Sequence, residues 1–172
     1  MSAERMANQG YMVIILMGVT GSGKSTVGEQ LAQDLDWPYY DADDFHPEDN
    51  VKKMASGTPL TDEDRWPWLE TLAVEIGHWL AADKGVILGC SALKQSYRDV
   101  LVKGREGVQI IHLRGTKELI AHRLAKRVHH YMPASLLDSQ FATLEEPRDA
   151  LSIDIASEPP AIAATICSAL GL

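Results

Sequence analysis

The sequence is poor in cysteine, has no long apolar run and carries no basic excess, and each lack removes a class of function. Its two cysteines, Cys90 and Cys167, stand in apolar surroundings without metal-ligand spacing. That leaves no cysteine-built metal site and points to two buried thiols in a reducing compartment. The longest apolar run, Tyr11 to Met17, is far shorter than the roughly 20 residues that span a bilayer. The first residues show no charged segment and apolar stretch leading to a cleavage site. A cytoplasmic protein with no membrane partner is expected. The net charge of −8 at neutral pH gives no bulk attraction for nucleic acid or anionic lipid, so any phosphate must be held locally. No repeat, linker or low-complexity stretch divides the 172 residues, a length that suits one domain with a proper core.

What is present alternates. Tyr11 to Met17 is a continuous apolar run ending at a glycine-rich turn, the pattern of a parallel strand buried on both faces. A helix is predicted from Lys24 to about Asp36, with Val27, Leu31 and Leu35 on one face. Trp37 to Tyr40 reads as a second strand opening into the acidic segment Asp41-Ala-Asp-Asp-Phe-His-Pro47. Asn50 to Ala55 makes a short helix. Thr61, with Asp64 three residues on, starts a longer one that puts Trp68, Leu72, Ile76 and Trp79 on one side. Strands over Gly85–Cys90, Val108–Leu113 and Ala150–Ile155 alternate with helices over Ser96–Val102, Thr116 to about Val128, Ala134 to about Leu144, and Pro160–Leu170. The expected architecture is a single three-layer α/β domain over residues 11–172: a five-stranded parallel sheet with helices on both faces, preceded by a flexible 1–10.

One string carries the chemistry. Gly18-Val19-Thr20-Gly21-Ser22-Gly23-Lys24-Ser25 fits G-x-x-x-x-G-K-[ST] and sits between an apolar strand and an amphipathic helix. Glycines let the backbone curl so that successive N–H groups face phosphate oxygens, and the following helix N-terminus adds partial positive charge. Lys24 can reach the β- and γ-phosphates, the Ser25 hydroxyl can coordinate Mg²⁺, and Thr26 extends the same turn. ATP and Mg²⁺ are therefore the expected ligands.

Further absences narrow the class. No guanine-reading Asn-Lys-x-Asp or switch Asp-x-x-Gly occurs, which excludes a GTPase. The strand Gly85–Cys90 leads into Ser91-Ala-Leu-Lys94 with no acid, unlike a motor or helicase. A small-molecule kinase fits both. It needs metal ligands beyond the loop, an acceptor-orienting group and cations over the phosphates. Asp41, at the second strand's end, can hold Mg²⁺ through water, and Asp43 can orient or deprotonate the acceptor hydroxyl, since ligands collect at carboxyl ends of parallel strands. The plain alternative is an acidic surface loop. Arg123 and Arg127 lie four apart on one helix face and lead into Val128-His-His-Tyr-Met-Pro133, so a mobile lid over about 127–134 can close cations over ATP. An ordinary solvated helix face is the alternative there.

Taken in order, these strings resemble the gluconate kinases, of the shikimate-kinase-like branch of small phosphate-loop kinases. The resemblance is carried by Gly18–Ser25, Asp41–Pro47, Lys53-Met-Ala-Ser-Gly57, Asp62-x-Asp-Arg65, Pro67-Trp-Leu69, Cys90-Ser-Ala-Leu-Lys94, Tyr97-Arg-Asp99 and Leu137-x-Ser-Gln-Phe141, over about residues 11–157. It implies transfer from ATP to the 6-hydroxyl of D-gluconate, giving 6-phospho-D-gluconate and ADP for carbohydrate-acid catabolism, in a homodimer. For the acceptor it suggests Asp43, His46, Arg65, Ser91, Lys94 and Arg98, with Arg98 and either Arg65 or Lys94 clamping the carboxylate. The family's usual Arg-x-Gly-His-Phe at the lid is here Arg127-Val-His-His-Tyr131, with His129 in place of glycine, and the segment after Leu144-Glu-Glu-Pro147 is short. Rival readings are a shikimate or adenylylsulfate kinase, and a nucleotide-binding regulator without transfer activity.

Overall fold

The computed structural model describes residues 11–127 and 134–172. The expected lid, His129 included, and the expected flexible terminus lie outside the described residues, apart from Arg127 and Ala134. The elements run β1 (Val13–Met17), α1 (Lys24–Leu35), β2 (Tyr39–Asp41), a 3₁₀ turn (Ala42–Phe45), α2 (Glu48–Ala55), α3 (Asp62–Ala81), β3 (Val86–Gly89), α4 (Gln95–Val102), β4 (Val108–Arg114), α5 (Lys117–Ala125), α6 (Ala134–Thr143), β5 (Leu151–Asp154) and α7 (Pro159–Leu170). The sheet has five strands in the order β2-β3-β1-β4-β5, all paired parallel.

β1 is wholly buried, and its alternation builds both layers. Ile14 and Leu16 join a cluster with Val27 and Leu31 of α1, Ile120 and Leu124 of α5, and Ile162 and Ile166 of α7. Val13, Ile15 and Met17 face the other way, onto Trp68, Leu69, Leu72 and Ile76 of α3 and Leu101 of α4. Each fully buried aliphatic side chain stabilises the fold by about 1.5–3 kcal/mol. α3 starts at a complete capping box: the Thr61 hydroxyl accepts from the Asp64 N–H, and the Asp64 carboxylate accepts from the Thr61 N–H. Lys53, then the Thr61 N–H, hold the Asp64 carboxyl down at about 2.

Most element boundaries shift from the sequence expectation by one to three residues, and two of the shifts have a visible cause. β2 begins at Tyr39 rather than Trp37, because Pro38 has no N–H to give a ladder; its carbonyl accepts from Ile87 N instead. α5 ends at Ala125 rather than near Val128, where Lys126 and Arg127 turn their N–H groups onto Arg123 and Leu124 in a tightened last turn.

The close approach of β2 to α1 and β3 depends on glycine. A Cβ at Gly28 or at Gly89 would run into the Tyr39 ring, and one at Gly85 into the Trp37 ring. Gly28→Ala is expected to lose about 1–3 kcal/mol through overpacking, read as a lower urea midpoint. An unchanged midpoint would show that Tyr39 is free to move.

Candidate active site

The level carboxyl ends of β1, β3 and β2 make one edge. Leu16 pairs with Gly89, and Gly89 with Asp41. The chain leaving β1 also meets the chain leaving β3, where Gly18 N donates to Ser91 O at 3.3 Å. The loop from Gly18 then curls in a way that only glycine tolerates. Gly21 and Gly23 have φ of 84° and 95°, and a Cβ at Gly21 would sit 2.9 Å from Leu124. At its end α1 starts uncapped. α3 and α5 have Thr61 and Thr116 accepting from their first turns, whereas Gly23 offers α1 no side chain. The first N–H groups of α1 are left for an anion.

Lys24 lies in this loop's curve, its Nζ donating to the Gly18 carbonyl at 2.9 Å and the Val19 carbonyl at 3.0 Å. Burial lowers its pKa to about 8, with Asp43 and Asp41 opposing the shift. Ser22 is fully buried, its N–H given to the Val19 carbonyl. Thr20 is gripped from across the cleft by α6: its N–H donates to Gln140 Oε1 at 2.7 Å, and Gln140 Nε2 donates to the Thr20 hydroxyl at 2.9 Å.

Facing the loop, Asp41 accepts from Asp43 N at 2.9 Å and so starts the 3₁₀ turn. Burial, and then the nearby Asp43 and Asp44 charges, raise the Asp41 carboxyl above its ordinary value. Asp43 moves the opposite way, lowered chiefly by the His46 imidazole and further by Lys24. Ser25, Asp41, Asp43, Ser91 and Arg127 line one cleft with Lys24. Cys90 lines it too, but burial pushes its thiol up to about 12, so it stays protonated and is no nucleophile. A second hollow beside Gly21 and Thr26 is bounded by Arg123, Arg127, Ser157 and Pro159. Arg123 donates there to the Ile155 carbonyl. Among the described residues, no three His, Cys, Asp or Glu side chains converge as a metal cage. Ser25 and Asp41, both lining the cleft, suit Mg²⁺, which keeps several waters and takes phosphate oxygens as ligands.

The remaining expected residues do not join that cleft. Arg65 and Lys94 gather around Asp62, at 3.8 and 3.2 Å, and the Tyr97 hydroxyl also donates to Asp62. His46, expected against the acceptor, has a side chain only 3% exposed and stacked on Trp68. Arg98, expected to clamp a carboxylate, is 2% exposed. Its Nη1 donates to the Ala92 and Leu93 carbonyls and its Nη2 to Gln95 Oε1 and the Glu145 carbonyl. With both terminal nitrogens engaged, Arg98 fastens the loop after β3 to the segment after α6 and is no substrate clamp.

Four contributors went unnoticed at the sequence level. Tyr39 brings its hydroxyl to 3.5 Å from Ser25 Oγ. Asn50 meets His46, Asp62 anchors the cation pair and Gln140 holds Thr20. Asp62 and Gln140 stand inside motif strings, but Lys94 and Tyr97 lie 32 and 35 residues from Asp62, and Thr20 lies 120 from Gln140. Gln140→Ala is expected to speed amide exchange at Thr20 about 2- to 10-fold for each hydrogen bond lost, measured by hydrogen–deuterium exchange. An unchanged rate would mean that α6 does not brace the loop.

Known proteins can be set against this geometry. The family model described as an AAA domain matches residues 13–147. The gluconokinase of Gluconobacter oxydans (strain 621H) is 45% identical over 136 residues, covering 79% of this chain and 76% of that protein. The thermosensitive gluconokinase of Escherichia coli (strain K12) is 44% identical over 145 residues, covering 82% and 78%. Among solved structures, a gluconokinase from Sinorhizobium meliloti 1021 superimposes with a TM-score of 0.81 at 41% identity, covering 95% of this chain and 92% of that one.

Proposed function

The chain belongs to the AAA domain family and to the gluconokinases, and we propose that the cleft at the sheet's carboxyl edge moves the terminal phosphoryl group of ATP to the 6-hydroxyl of D-gluconate. The products are 6-phospho-D-gluconate and ADP. One observation carries the assignment of the site: Lys24 of the phosphate loop and Asp43 past β2 face one cleft at strand ends.

The residues present fit the nucleotide. The uncapped α1 and the loop curled at Gly21 and Gly23 receive phosphates, and the hollow by Arg123, Ser157 and Pro159 receives the nucleoside. Lys24 leaves the Gly18 and Val19 carbonyls for phosphate oxygens. Ser25 would hold Mg²⁺ directly and Asp41 through water, and the ion when bound offsets phosphate charge. Arg127, with Arg123 behind it, adds cationic charge over the transferring group.

Asp43 faces the acceptor hydroxyl. A carboxylate held below its usual range is a weak base, so Asp43 serves to orient the hydroxyl as hydrogen-bond acceptor more than to remove its proton. Ser91 hydrogen-bonds a hydroxyl of the chain. Arg65 and Lys94, kept in place by Asp62, turn to the gluconate carboxylate. We place the enzyme in the cytoplasm as a homodimer; no helix of the described residues is long and apolar enough to cross a membrane.

Coupled ADP-release assays with and without gluconate test the activity. Gluconate-dependent release is expected, and ATP binding without it would leave a nucleotide-binding regulator. Asp43→Asn, which keeps shape but weakens acceptance, is expected to lower kcat by about 10²-fold or more, and a near-normal kcat would remove Asp43 from the reaction.

Lys24 gives a pH test. With its pKa at about 8, Lys24 of the free enzyme is cationic below that pH and neutral above it. Bound triphosphate draws the proton back, so binding above pH 8 takes up a proton, and the ATP Kd should rise toward about tenfold per pH unit there. Calorimetry in buffers of different ionisation enthalpy measures both effects. A Kd that is flat across pH 8, with no proton uptake, would contradict them.

A further inference from the structure

Asn50 and His46 are a pair that no motif role explains. Asn50 lies on α2, 3% exposed, and its Nδ2 lies 2.8 Å from the Asp64 carbonyl and 3.2 Å from His46 Nδ1. A carbonyl oxygen only accepts, so the Asn50 atom facing it is the amide nitrogen. That nitrogen only donates, so His46 Nδ1 must present its lone pair. The imidazole proton is therefore on Nε2. Nε2 is the ring atom facing Asp43, 3.6 Å from Oδ1. A small turn of the exposed Asp43 carboxylate closes that gap to a hydrogen bond.

The ring cannot swing away. It stacks on Trp68 with centroids 4.1 Å apart at 17°, and Trp68 is fixed by donating Nε1 to the Ala42 carbonyl at 2.7 Å. Ala42 lies between Asp41 and Asp43, so the indole that backs the imidazole also pins the turn carrying the carboxylate.

We infer that Asn50 and His46 form a positioning relay in which Asn50 locks the imidazole proton on Nε2 and His46 aims the Asp43 carboxylate at the acceptor hydroxyl. This rests on Asp43 facing the acceptor of a gluconate kinase. His46 does not itself touch the substrate, and no proton leaves the ring during transfer.

Two variants separate aiming from packing. His46→Phe keeps the stack on Trp68 and loses the N–H. His46→Gln loses the stack and keeps an N–H near the Nε2 position. Both are checked for folding by thermal melts, with ATP Kd as the control. His46→Phe is expected to lower kcat for gluconate about tenfold or more at little-changed ATP Kd. His46→Gln should return kcat to within about threefold of the parent enzyme. A purely structural histidine would give the reverse order: Phe near the parent kcat and Gln impaired. That result overturns the relay, as does a folded Gln variant no faster than Phe.

The proton's place is read directly from long-range ¹H–¹⁵N spectra of histidine-labelled enzyme, with His46 identified by its loss in His46→Phe. Protonated Nε2 and bare Nδ1 are expected, and a proton on Nδ1 overturns the relay whatever the kinetics. If the parent enzyme releases no ADP with gluconate, the acceptor reading fails on its own, while the tautomer still decides whether Asn50 sets the ring.

Discussion

The parallel register of β2, β3 and β1 governs everything at the cleft. Leu16, Gly89 and Asp41 stand level across these strands, so the chain leaves all of them at one edge. The phosphate loop, Ser91 and the acidic turn thereby meet, although they come from distant parts of the sequence. Parallel strands side by side require crossovers, and α1 and α3 provide them while covering opposite faces of the sheet. Slipping β2 by one residue would exchange its faces, turning Asp41 away from Ser25 and Lys24. Tyr39 opposes such a slip, because its ring occupies space left by Gly28 and Gly89 on two different elements.

Within that edge, burial sorts charges that sequence proximity would treat alike. Asp41 and Asp43 are two residues apart, yet one carboxyl is raised and the other lowered. Asp41 turns inward to cap the 3₁₀ turn and loses water, with Asp43 and Asp44 as like charges nearby. Asp43 faces the cleft and gains the His46 imidazole, which outweighs its own loss of water. Different environments separate otherwise similar carboxyl groups, and the roles proposed for them, one near a metal and the other facing a hydroxyl, follow that split.

The sheet and its order of elements were legible because their signals are local. The continuous apolar run of β1, the face of Val27 and Leu31 and the Thr61–Asp64 capping box each lie within a few turns of chain. The phosphate loop was legible for the same reason. Arg98 was not. Its motif neighbours suggested a substrate cation, but its role depends on the Glu145 carbonyl, 47 residues on, which no periodicity reveals. His46 was named for the wrong contact because its burial comes from Trp68 on another helix. Gln140 stood inside a recognised string and still gave no hint of Thr20, 120 residues earlier. A residue's type was thus readable from sequence, whereas the direction in which it spends its hydrogen bonds had to await the packing of helices on the sheet.

The same distinction explains how a chain of net charge −8 holds a polyanion. Its site cations are not arrayed as an open basic patch. Lys53 is matched to Asp64, and Arg65 and Lys94 to Asp62. A carboxylate substrate reaching the latter pair exchanges one carboxylate partner for another, at little electrostatic cost beyond rearranging hydrogen bonds. Lys24 is arranged differently: carbonyls rather than a carboxylate hold its Nζ, and burial already makes its charge costly. A phosphate arriving there offsets that cost with its opposite charge and finds the free N–H groups of α1 alongside. Attraction for phosphate is therefore local, centred on one desolvated lysine and one uncapped helix end with Arg123 and Arg127 beside them, where the acidic remainder of the surface, screened over about 8 Å at physiological salt, opposes it only weakly.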